Sequence, residues 1–416
     1  MKRPVSLALY GAAMGLAEPI APFLLKRRAL RGKEDASRLG ERLGRASRPR
    51  PDGPLVWLHG VSVGESLSLL PLIDRILAQT PKTTILVTSG TVTSAGLLAK
   101  RLPPGVIHQY APIDGPAAVR RFVGHWRPDL ALFAESELWP NLILQARAHG
   151  TTLALVSARI TAHSAEGWAK RRAAARTLLG AFSLILPQDA ASAERLTRLG
   201  ATPGPLLNLK YVGDPPPFDA AELESLRAAT KGRQIVVAAS THAGEDGIIA
   251  AAIPTGALLV LIPRHPDRAA AIQAELAAMG RTVARRSAGD DLDPKSDIYL
   301  ADTLGEMGLF MRLADIVVMG GSFAPGIGGH NPLEPARLTR AIVSGGDTYN
   351  FADVYSEMAA AGAVRITSSD ALGADLTALL GAPRQIQALG AAAATYAAGQ
   401  RHAFEAGWAL IRGLLP

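Results

Sequence analysis

Leu55-Val-Trp-Leu-His-Gly-Val-Ser-Val-Gly-Glu65 is the stretch that most directly indicates how this chain folds. The run 55–59 predicts a buried strand, and the glycines at 60 and 64 allow a tight turn into a helix. Similar runs of Val, Ile and Leu recur along the chain, at intervals that leave room for a helix between them. This spacing is typical of βαβ units in a parallel sheet.

The same pattern fills two halves of the chain. We predict strands at 55–59, 84–88, 106–110, 130–134, 152–156 and 184–186, and then at 235–239, 258–262, 298–301, 316–319, 341–344 and 364–367. Prolines in 204–218 cannot continue a helix or a central strand. The predicted fold class is therefore α/β, with two Rossmann-like domains facing a cleft, and ligands are expected at the carboxyl ends of the strands.

The domain boundaries follow from this division. A chain of 416 residues has room for two domains of roughly 150–200 residues each. We expect an N-terminal membrane-associated helix at 1–30, a first Rossmann-like domain at 31–205, a hinge at 206–218 and a second Rossmann-like domain at 219–395. A last helix at 396–416 is expected to pack back on the N-terminal domain.

Composition excludes several classes of protein. The chain has no Cys, which rules out disulfides, thiolate metal sites and Cys nucleophiles. A net charge of +8 favours polyanionic partners such as phosphates or anionic lipid surfaces. Nucleic acid is not an expected partner, because the Arg residues are scattered and no aromatic side chains interleave them. The sequence carries no signal for an oligomeric state.

Residues 4–25 are nearly all apolar and are followed by a basic cluster. A membrane-spanning helix needs about 20 apolar residues, and this stretch is interrupted by Glu18, Pro19 and Pro22. The basic cluster opposes export and keeps the body of the protein on the cytoplasmic side. We expect a short anchor or an interfacial helix; the alternative is a core helix packed on the first domain.

Three sets of polar residues are candidates in the first half. Ser62, Gly64 and Glu65 occupy the turn after the first strand, where they could receive an anion or simply shape the turn. Glu135 and Glu137 follow the strand at 130–134, and carboxylates at i and i+2 point in different directions. We favour Glu135 for the cleft and Glu137 for structure. The charged segment 38–44 has the pattern of a solvated linker.

The second half offers a candidate phosphate site. Gly320, Gly321 and Ser322 end a buried strand, and a Gly-rich loop leads to Asn331, a predicted helix cap. Glu334, one turn inside that helix, could accept hydrogen bonds from sugar hydroxyls or only complement the helix dipole.

Two further turns carry polar residues at predicted strand ends. Arg264 and His265 follow one strand, and arginine can grip a phosphate or carboxylate through two parallel hydrogen bonds. Ser240-Thr241-His242 occupies the turn one strand earlier, where a histidine more often serves local hydrogen bonding than catalysis.

These segments together resemble the 3-deoxy-D-manno-octulosonic acid (Kdo) transferase family. The resemblance covers the chain from its apolar N-terminus to about residue 355, and it rests on Gly40-Glu41-Arg42, His59-Gly-Val-Ser-Val-Gly-Glu65, Glu135-Ser-Glu-Leu-Trp-Pro-Asn141, Ser157-Ala-Arg-Ile-Thr161 with Ser164, Asn208-Leu-Lys210, Ser240-Thr-His242, Pro263-Arg-His-Pro266, and Gly320-Gly-Ser322 to Glu334 with Asn350-Phe351.

The resemblance implies a glycosyltransferase-B architecture and CMP-Kdo as donor. It implies as acceptor a lipid A precursor, a phosphorylated and acylated glucosamine disaccharide, at the cytoplasmic face of the inner membrane. It also implies inversion at the anomeric centre without a metal or cofactor, and the sequence shows no obvious carboxylate pair for a nucleotide-bound metal.

Roles for individual residues are implied by the same resemblance. It assigns Glu41 as the general base that takes the proton of the acceptor hydroxyl, in place of a solvated linker. The resemblance makes 31–205 the acceptor-binding domain, and its acceptor-side candidates are Ser62, Gly64, Glu65, Glu135 and Glu137. It makes 219–395 the donor domain, and Lys210 could neutralise the donor phosphate or carboxylate. The other donor-side positions that match are Ser240, Thr241, Arg264, His265, Gly320, Gly321, Ser322, Asn331 and Glu334.

The chain departs from the family pattern in three places. Leu207 stands where the family usually has Gly, 91–94 replaces a Thr-Pro-Thr-Gly run, and Gly345-Gly-Asp347 replaces Gly-Pro-His. Two alternatives remain: a glycosyltransferase-B enzyme that uses another nucleotide sugar, and a catalytically silent protein that binds membrane surfaces.

Overall fold

A computed structural model of the chain describes residues 4–213, 215–292 and 296–416. Residues 1–3 of the expected N-terminal helix and Asp214 of the expected hinge lie outside the described residues. The chain divides into two compact units, Met1–Val212 with Gln400–Pro416, and Gly213–Gly399. We call them the first and the second unit.

The first unit is built on one parallel sheet of six strands in the order β3-β2-β1-β4-β5-β6. Its strands are β1 (Leu55–His59), β2 (Thr84–Ser89), β3 (Ile107–Tyr110), β4 (Leu130–Ala134), β5 (Thr152–Ala158) and β6 (Leu184–Pro187). Its helices are α1 (Val5–Ala17), α2 (Ala21–Ala29), α3 (Leu39–Arg42), α4 (Val63–Ser68), α5 (Leu70–Gln79), α6 (Val92–Arg101), α7 (Pro116–Trp126), α8 (Pro140–Ala148), α9 (Ala162–Ala169), α10 (Arg172–Leu179) and α11 (Ala190–Arg198), with short 3₁₀ helices at Glu18–Ile20, Ala36–Arg38 and Leu209–Tyr211.

Both faces of this sheet are buried, which explains the continuous apolar runs in the sequence. Successive side chains of a strand point to opposite faces. Accordingly, Leu55 and Trp57 of β1 belong to one buried cluster, and Val56 and Leu58 belong to another.

The second unit is built on a parallel sheet of seven strands in the order β13-β12-β11-β7-β8-β10-β9. Its strands are β7 (Ile235–Thr241), β8 (Leu258–Pro263), β9 (Val283–Arg285), β10 (Ile298–Leu300), β11 (Ile316–Met319), β12 (Ala341–Ser344) and β13 (Arg365–Ile366). Its helices are α12 (Ala220–Ala229), α13 (Asp246–Ala252), α14 (Ala269–Ala278), α15 (Met307–Leu313), α16 (Leu333–Ala336), α17 (Ala352–Ala360) and α18 (Leu372–Leu380), with 3₁₀ helices at Pro266–Arg268, Arg286–Ala288 and Tyr349–Phe351.

The predicted α/β class with two Rossmann-like domains is confirmed, and every predicted strand is present. The edge strand β9 was not expected from the sequence. Its three residues include one buried side chain, Ala284, so it lacks the apolar run that marks the other strands.

One long helix, α19 (Pro383–Arg412), begins in the second unit and ends in the first. In the first unit Phe404, Trp408 and Ile411 share a buried cluster with Leu207. A Cβ on Gly407 would lie 3.1 Å from a methyl group of Leu207. The larger residue at position 207, a departure from the family pattern, is therefore accommodated by a glycine on α19.

The apolar N-terminal segment forms α1, a 3₁₀ turn at Glu18–Ile20 and α2. Val5–Ala29 is long and apolar enough to cross a membrane by length and composition. The segment also makes polar contacts with the rest of the first unit. The Glu18 carboxylate accepts the N–H groups of Ala117 and Ala118 at 2.9 and 2.6 Å, at the N-terminus of α7, and the Tyr10 hydroxyl donates to Asp114 at 2.9 Å.

Candidate active site

Strained backbone marks the carboxyl ends of the central strands. Glu135 follows β4 with φ 54°, Ser157 lies near the end of β5 with φ 51°, and Ser240 lies near the end of β7 with φ 60°. A residue other than glycine in this left-handed region costs about 1–3 kcal/mol, and such residues cluster at functional sites. Two of these three positions, Glu135 and Ser240, are among the site residues predicted from the sequence.

Glu135 and Lys210, predicted for different substrates, form one ion pair in the first unit. The Lys210 ammonium lies 2.7 Å from Oε1 of Glu135. Glu135 is buried, whereas the Lys210 side chain is 34% exposed. Gly64 is close by, since a Cβ there would lie 3.9 Å from Cε of Lys210. The structure therefore places a cation, and not a free carboxylate, at this strand end.

Glu137 lines a cavity of the first unit, whereas Glu135 is buried beside Lys210. The assignment of Glu135 to the cleft and Glu137 to structure stays a prediction. Burial raises the pKa of Glu137 to about 7; the hydrogen bond from the Trp139 indole acts against this, and the charges of Glu65 and Glu135 add to it. The two carboxylates have different partners, since Glu135 pairs with Lys210 and Glu137 accepts the indole N–H of Trp139.

His59 stands next to Glu137 at the end of β1. Its Nε2 lies 3.8 Å from Oε2 of Glu137, and its Nδ1 is 2.8 Å from the Thr88 hydroxyl. Burial lowers the pKa of His59 to about 3, with a further contribution from Arg42. The imidazole is therefore neutral near pH 7. Among the described residues its Nε2 has no hydrogen-bond partner.

Ser62 and Glu65 hold the turn after β1 in the manner of a capping box. The Ser62 hydroxyl accepts the N–H of Glu65 at 3.3 Å and donates to Oε1 of Glu65 at 2.7 Å. Oε2 of Glu65 accepts the N–H of Val61 at 2.8 Å. These contacts satisfy N–H groups that an anion would need, and acceptor binding by Ser62, Gly64 and Glu65 stays a prediction.

Glu41 is 1% exposed, so the solvated linker suggested by its local pattern is wrong. Arg38 donates to Oε1 through Nε at 3.0 Å and to Oε2 through Nη2 at 2.8 Å, and the N–H of Tyr110 donates to Oε2 at 2.7 Å. Arg38 itself is anchored on the carbonyl of His108 at 3.0 Å. Glu41 therefore lies at edge strand β3, two strands away from β1 and His59.

In the second unit, a carboxylate not foreseen from the sequence occupies the predicted phosphate cradle. Glu245 is fully buried and accepts the N–H groups of His242, Gly321 and Phe323 at 2.9, 2.7 and 2.8 Å. The Gly321 N–H is therefore already bound. The sequence gives little indication of this role. Glu245 lies three residues beyond Ser240-Thr241-His242, just before α13, and belongs to no strand.

Gly320, Gly321 and Ser322 each have a structural role in this loop. A Cβ on Gly320 would lie 2.5 Å from the carbonyl oxygen of Ser240, and Gly321 has φ 71°. The buried Ser322 hydroxyl donates to the carbonyl of Met319 at 2.6 Å and accepts the N–H of Gly345 at 2.8 Å. These contacts tie the end of β11 to the end of β12.

Three histidines gather beside this loop. Nε2 of His242 lies 2.8 Å from Nε2 of His330, with the rings stacked, and the His265 ring is 5.8 Å from that of His242. Burial lowers the pKa of His330 to about 4, and the neighbouring His242, Arg264 and His265 add to this. Arg264 is exposed, so its guanidinium is accessible to an anion.

The remaining donor-side candidates have mixed environments. Thr241 is buried and donates to Asp246 at 2.6 Å. Asn331 accepts the N–H of Leu333 at 3.1 Å, but α16 begins at Leu333, one residue later than predicted, with Pro332 before it. Burial raises the pKa of Glu334, which is half-buried, against the charges of Arg337 and Arg264.

The structure also contains cavities that no sequence pattern indicated. One in the first unit has a volume of about 970 Å³ and lies between α1, α9 and the loop at 136–140. A smaller one of about 320 Å³ in the second unit is lined by residues that include Ser322, Gly345 and Asp347. Asp347, a departure from the family pattern, accepts the N–H of Gly326 at 2.7 Å and so closes the Gly-rich loop.

The chain is similar to known proteins over most of its length. A family model described as 3-deoxy-D-manno-octulosonic-acid transferase (kdotransferase) matches residues 37–212. A probable mitochondrial 3-deoxy-D-manno-octulosonic acid transferase of Arabidopsis thaliana is 35% identical over 86% of this chain and 84% of that protein. The 3-deoxy-D-manno-octulosonic acid transferase of Haemophilus influenzae is 32% identical over 92% of each chain.

Solved structures share the fold. A glycosyltransferase from Rickettsia africae superimposes with a TM-score of 0.53 over 88% of this chain and 99% of that one. The sequence identity is 10%, so this likeness concerns the fold alone.

Proposed function

The chain belongs to the 3-deoxy-D-manno-octulosonic acid (Kdo) transferase family, and we propose that it moves Kdo from CMP-Kdo to a lipid A precursor, with inversion and without a metal. It is a glycosyltransferase of the glycosyltransferase-B architecture. One observation carries the proposal. The chain is 35% identical, over most of both chains, to the probable Kdo transferase of Arabidopsis thaliana.

On the donor side, Arg264 is proposed to bind the phosphate or carboxylate of CMP-Kdo. It is an exposed cation at the carboxyl end of β8, and arginine suits both groups. Glu334, beside it, is proposed to accept hydroxyl groups of the donor. Since Glu245 binds the N–H groups of Gly321 and Phe323, the loop is proposed to supply shape, with Gly320 and Gly321 allowing close approach.

Lys210 is proposed to offset the negative charge of the donor. Its pairing with Glu135 supports this role in one respect, because the buried carboxylate holds the ammonium at the strand ends while leaving it partly exposed. Charges fixed in place before the reaction stabilise developing charge without reorganisation.

Glu41 is proposed as the general base. An inverting transfer is a single displacement, which needs one group to take the proton of the attacking hydroxyl. Arg38 donates two hydrogen bonds to the Glu41 carboxylate. The Arg38 side chain is itself 29% exposed, so it has room to move toward solvent. We propose that the acceptor hydroxyl replaces the Arg38 Nε–H at Oε1, and that Arg38 swings outward to allow this.

Glu137 is a second candidate for proton transfer. Its pKa of about 7 suits a general base at neutral pH, and it lines the large cavity of the first unit. The Gln variants of Glu41 and Glu137 separate the two roles: loss of the base removes transfer at every pH, whereas loss of a group that only contacts the acceptor mainly raises KM.

The first unit is proposed to lie on the cytoplasmic face of the inner membrane. Apolar side chains of the N-terminal segment are exposed, including Leu9, Leu16 and Phe23. Basic residues close α2, namely Lys26, Arg27 and Arg28. This combination is typical of helices that lie in the headgroup region of an anionic bilayer.

The proposal is tested by presenting purified protein with CMP-Kdo and a tetra-acylated lipid A precursor and following CMP release, with and without EDTA. We expect release that depends on the acceptor and is unaffected by EDTA. A panel of UDP-sugars is the control, and acceptor-dependent release of UDP in place of CMP would favour the alternative donor class.

A further inference from the structure

We propose that the cavity of about 970 Å³ in the first unit holds one acyl chain of the acceptor, next to an acceptor phosphate. This inference rests on the proposed function for the identity of the acceptor. The cavity lies between α1, the loop at 136–140 and the α9–α10 region. Its volume falls at the upper end of the roughly 300–1,000 Å³ typical of sites for small organic ligands.

The walls of the cavity have the chemistry of a chain-binding site. α1 contributes Leu9 and Ala13, the loop contributes Leu138 and Trp139, and α9 contributes Trp168. Mostly apolar walls with a few placed polar groups are typical of pockets for amphipathic ligands.

A cation stands among these apolar residues. Arg171, between α9 and α10, lines the cavity and is exposed. Its guanidinium forms no ion pair with the carboxylates of the described residues. Its neighbours Lys170 and Arg172 are also exposed. Because arginine binds phosphate through parallel hydrogen bonds, this edge is complementary to the phosphate of an acylated, phosphorylated acceptor.

The cavity is continuous with the apolar surface of α1. Leu9 both lines the cavity and is 65% exposed, and on the same segment Val5 and Leu16 are exposed as well. A chain could therefore pass from a bilayer into the cavity along apolar surface, without crossing water. A lipid chain is therefore the occupant that matches this unbroken apolar surface between the bilayer and the cavity.

The wall formed by α1 is fixed to the domain. Tyr10, which lines the cavity, donates to Asp114 at 2.9 Å, and Asp114 in turn accepts the N–H groups of Asn141 and Leu142 at 3.1 and 2.8 Å. Glu18 binds the start of α7. α1 is therefore part of the binding site as well as an attachment to the membrane.

The same cavity reaches the strand ends. Glu137 lines it, and Oε2 of Glu137 is 3.8 Å from Nε2 of His59 at the end of β1. An acceptor whose chain lies along α1 would present its sugar near these residues.

The test is to fill the cavity. A Cβ on Gly167 in α9, which lines the cavity, meets nothing within 4 Å, and leucine is a better helix former than glycine. Gly167→Leu should therefore fold. Gly124→Leu in α7 is the matched control, because a Cβ on Gly124 also meets nothing within 4 Å and Gly124 does not line the cavity.

The first readout is transfer from CMP-Kdo to two acceptors, the tetra-acylated precursor and the same disaccharide bisphosphate with all acyl chains removed. Gly167→Leu should raise KM for the acylated acceptor by roughly tenfold or more and leave kcat/KM for the deacylated one within about twofold. Gly124→Leu should change neither. Equal effects on both acceptors, or no effect on the acylated one, would overturn the inference.

The second readout does not depend on transfer. Trp139 and Trp168 line the cavity, whereas Trp57 and Trp126 are fully buried elsewhere. Dibrominated dodecyl phosphate, kept below its micelle concentration, should quench tryptophan fluorescence saturably, and Gly167→Leu or Arg171→Ala should weaken this. Absence of saturable quenching overturns the site. Quenching by a protein that transfers no Kdo would support the site and refute the proposed function.

Discussion

Oε2 of Glu137 lies 3.8 Å from Nε2 of the buried His59. Because burial raises the pKa of Glu137 to about 7 and lowers that of His59 to about 3, both groups are largely neutral between about pH 4 and pH 6. The pair is therefore not a permanent ion pair, and raising the pH through 7 charges only the carboxyl group.

The pH dependence of the free energy of unfolding should report the raised pKa of Glu137 directly. A carboxyl whose folded pKa exceeds its unfolded value stabilises the folded protein at low pH, and that contribution is lost as the pH rises through the folded pKa. The free energy of unfolding of the wild type, relative to Glu137→Gln, should fall by up to about 3 kcal/mol between about pH 5 and pH 8. Denaturant titrations at both pH values measure it. Parallel pH profiles for the two proteins would contradict the raised pKa.

Glu41→Gln should lower kcat by roughly 10²–10⁴-fold, the range that general-base catalysis contributes. CMP binding, measured by calorimetry, should be unchanged. The matched control is Glu34→Gln, since Glu34 is another buried carboxylate in ion pairs, with Arg28 and Arg42. Near-normal turnover of Glu41→Gln would reject its role, and an equal loss in Glu34→Gln would point to a purely structural effect.

Lys210 and Glu135 should show coupled effects on stability and separate effects on activity. Removing Lys210 alone leaves the buried Glu135 carboxylate without its cation, so Lys210→Met should destabilise the protein and Glu135→Gln should partly restore it. The coupling should fall in the range of about 0.5–3 kcal/mol. Transfer should stay low in the double variant, because the donor charge is still not offset. Full recovery of transfer would show that Lys210 serves structure alone.

The exposed apolar side chains of the N-terminal segment should bind lipid. Leu9→Glu with Leu16→Glu should release the protein from anionic vesicles in a sedimentation assay, without unfolding it, because neither side chain is buried. Because the chain has no Cys, Leu16→Cys provides a single labelling site whose reactivity vesicles should suppress. Unchanged sedimentation of the double variant would place the membrane contact elsewhere.

The parallel sheets could be predicted from the sequence because their physical cause is local. A strand such as β1 is buried on both faces, so it is apolar along its length and its run of residues is visible. The end of each apolar run also marks the turn that follows the strand. Glu135, Ser240 and Arg264 could therefore be predicted as strand-end residues.

The contacts that decide what those residues do are not local. Glu245 is bonded to Gly321 and Phe323, more than seventy residues away, and no spacing rule connects them. The large cavity is formed by α1, α9 and the loop between β4 and α8, three segments that are distant in sequence. Glu41 has a local pattern typical of a linker, but it is buried and accepts the N–H of Tyr110, which lies 69 residues further along the chain.

The mass of the reaction product tests the central claim most directly. Purified protein incubated with CMP-Kdo and the tetra-acylated lipid A precursor should yield the precursor heavier by one or more Kdo residues, in amounts matching the CMP released. No mass gain with CMP-Kdo, together with a hexose-sized gain from a UDP-sugar, would contradict the account.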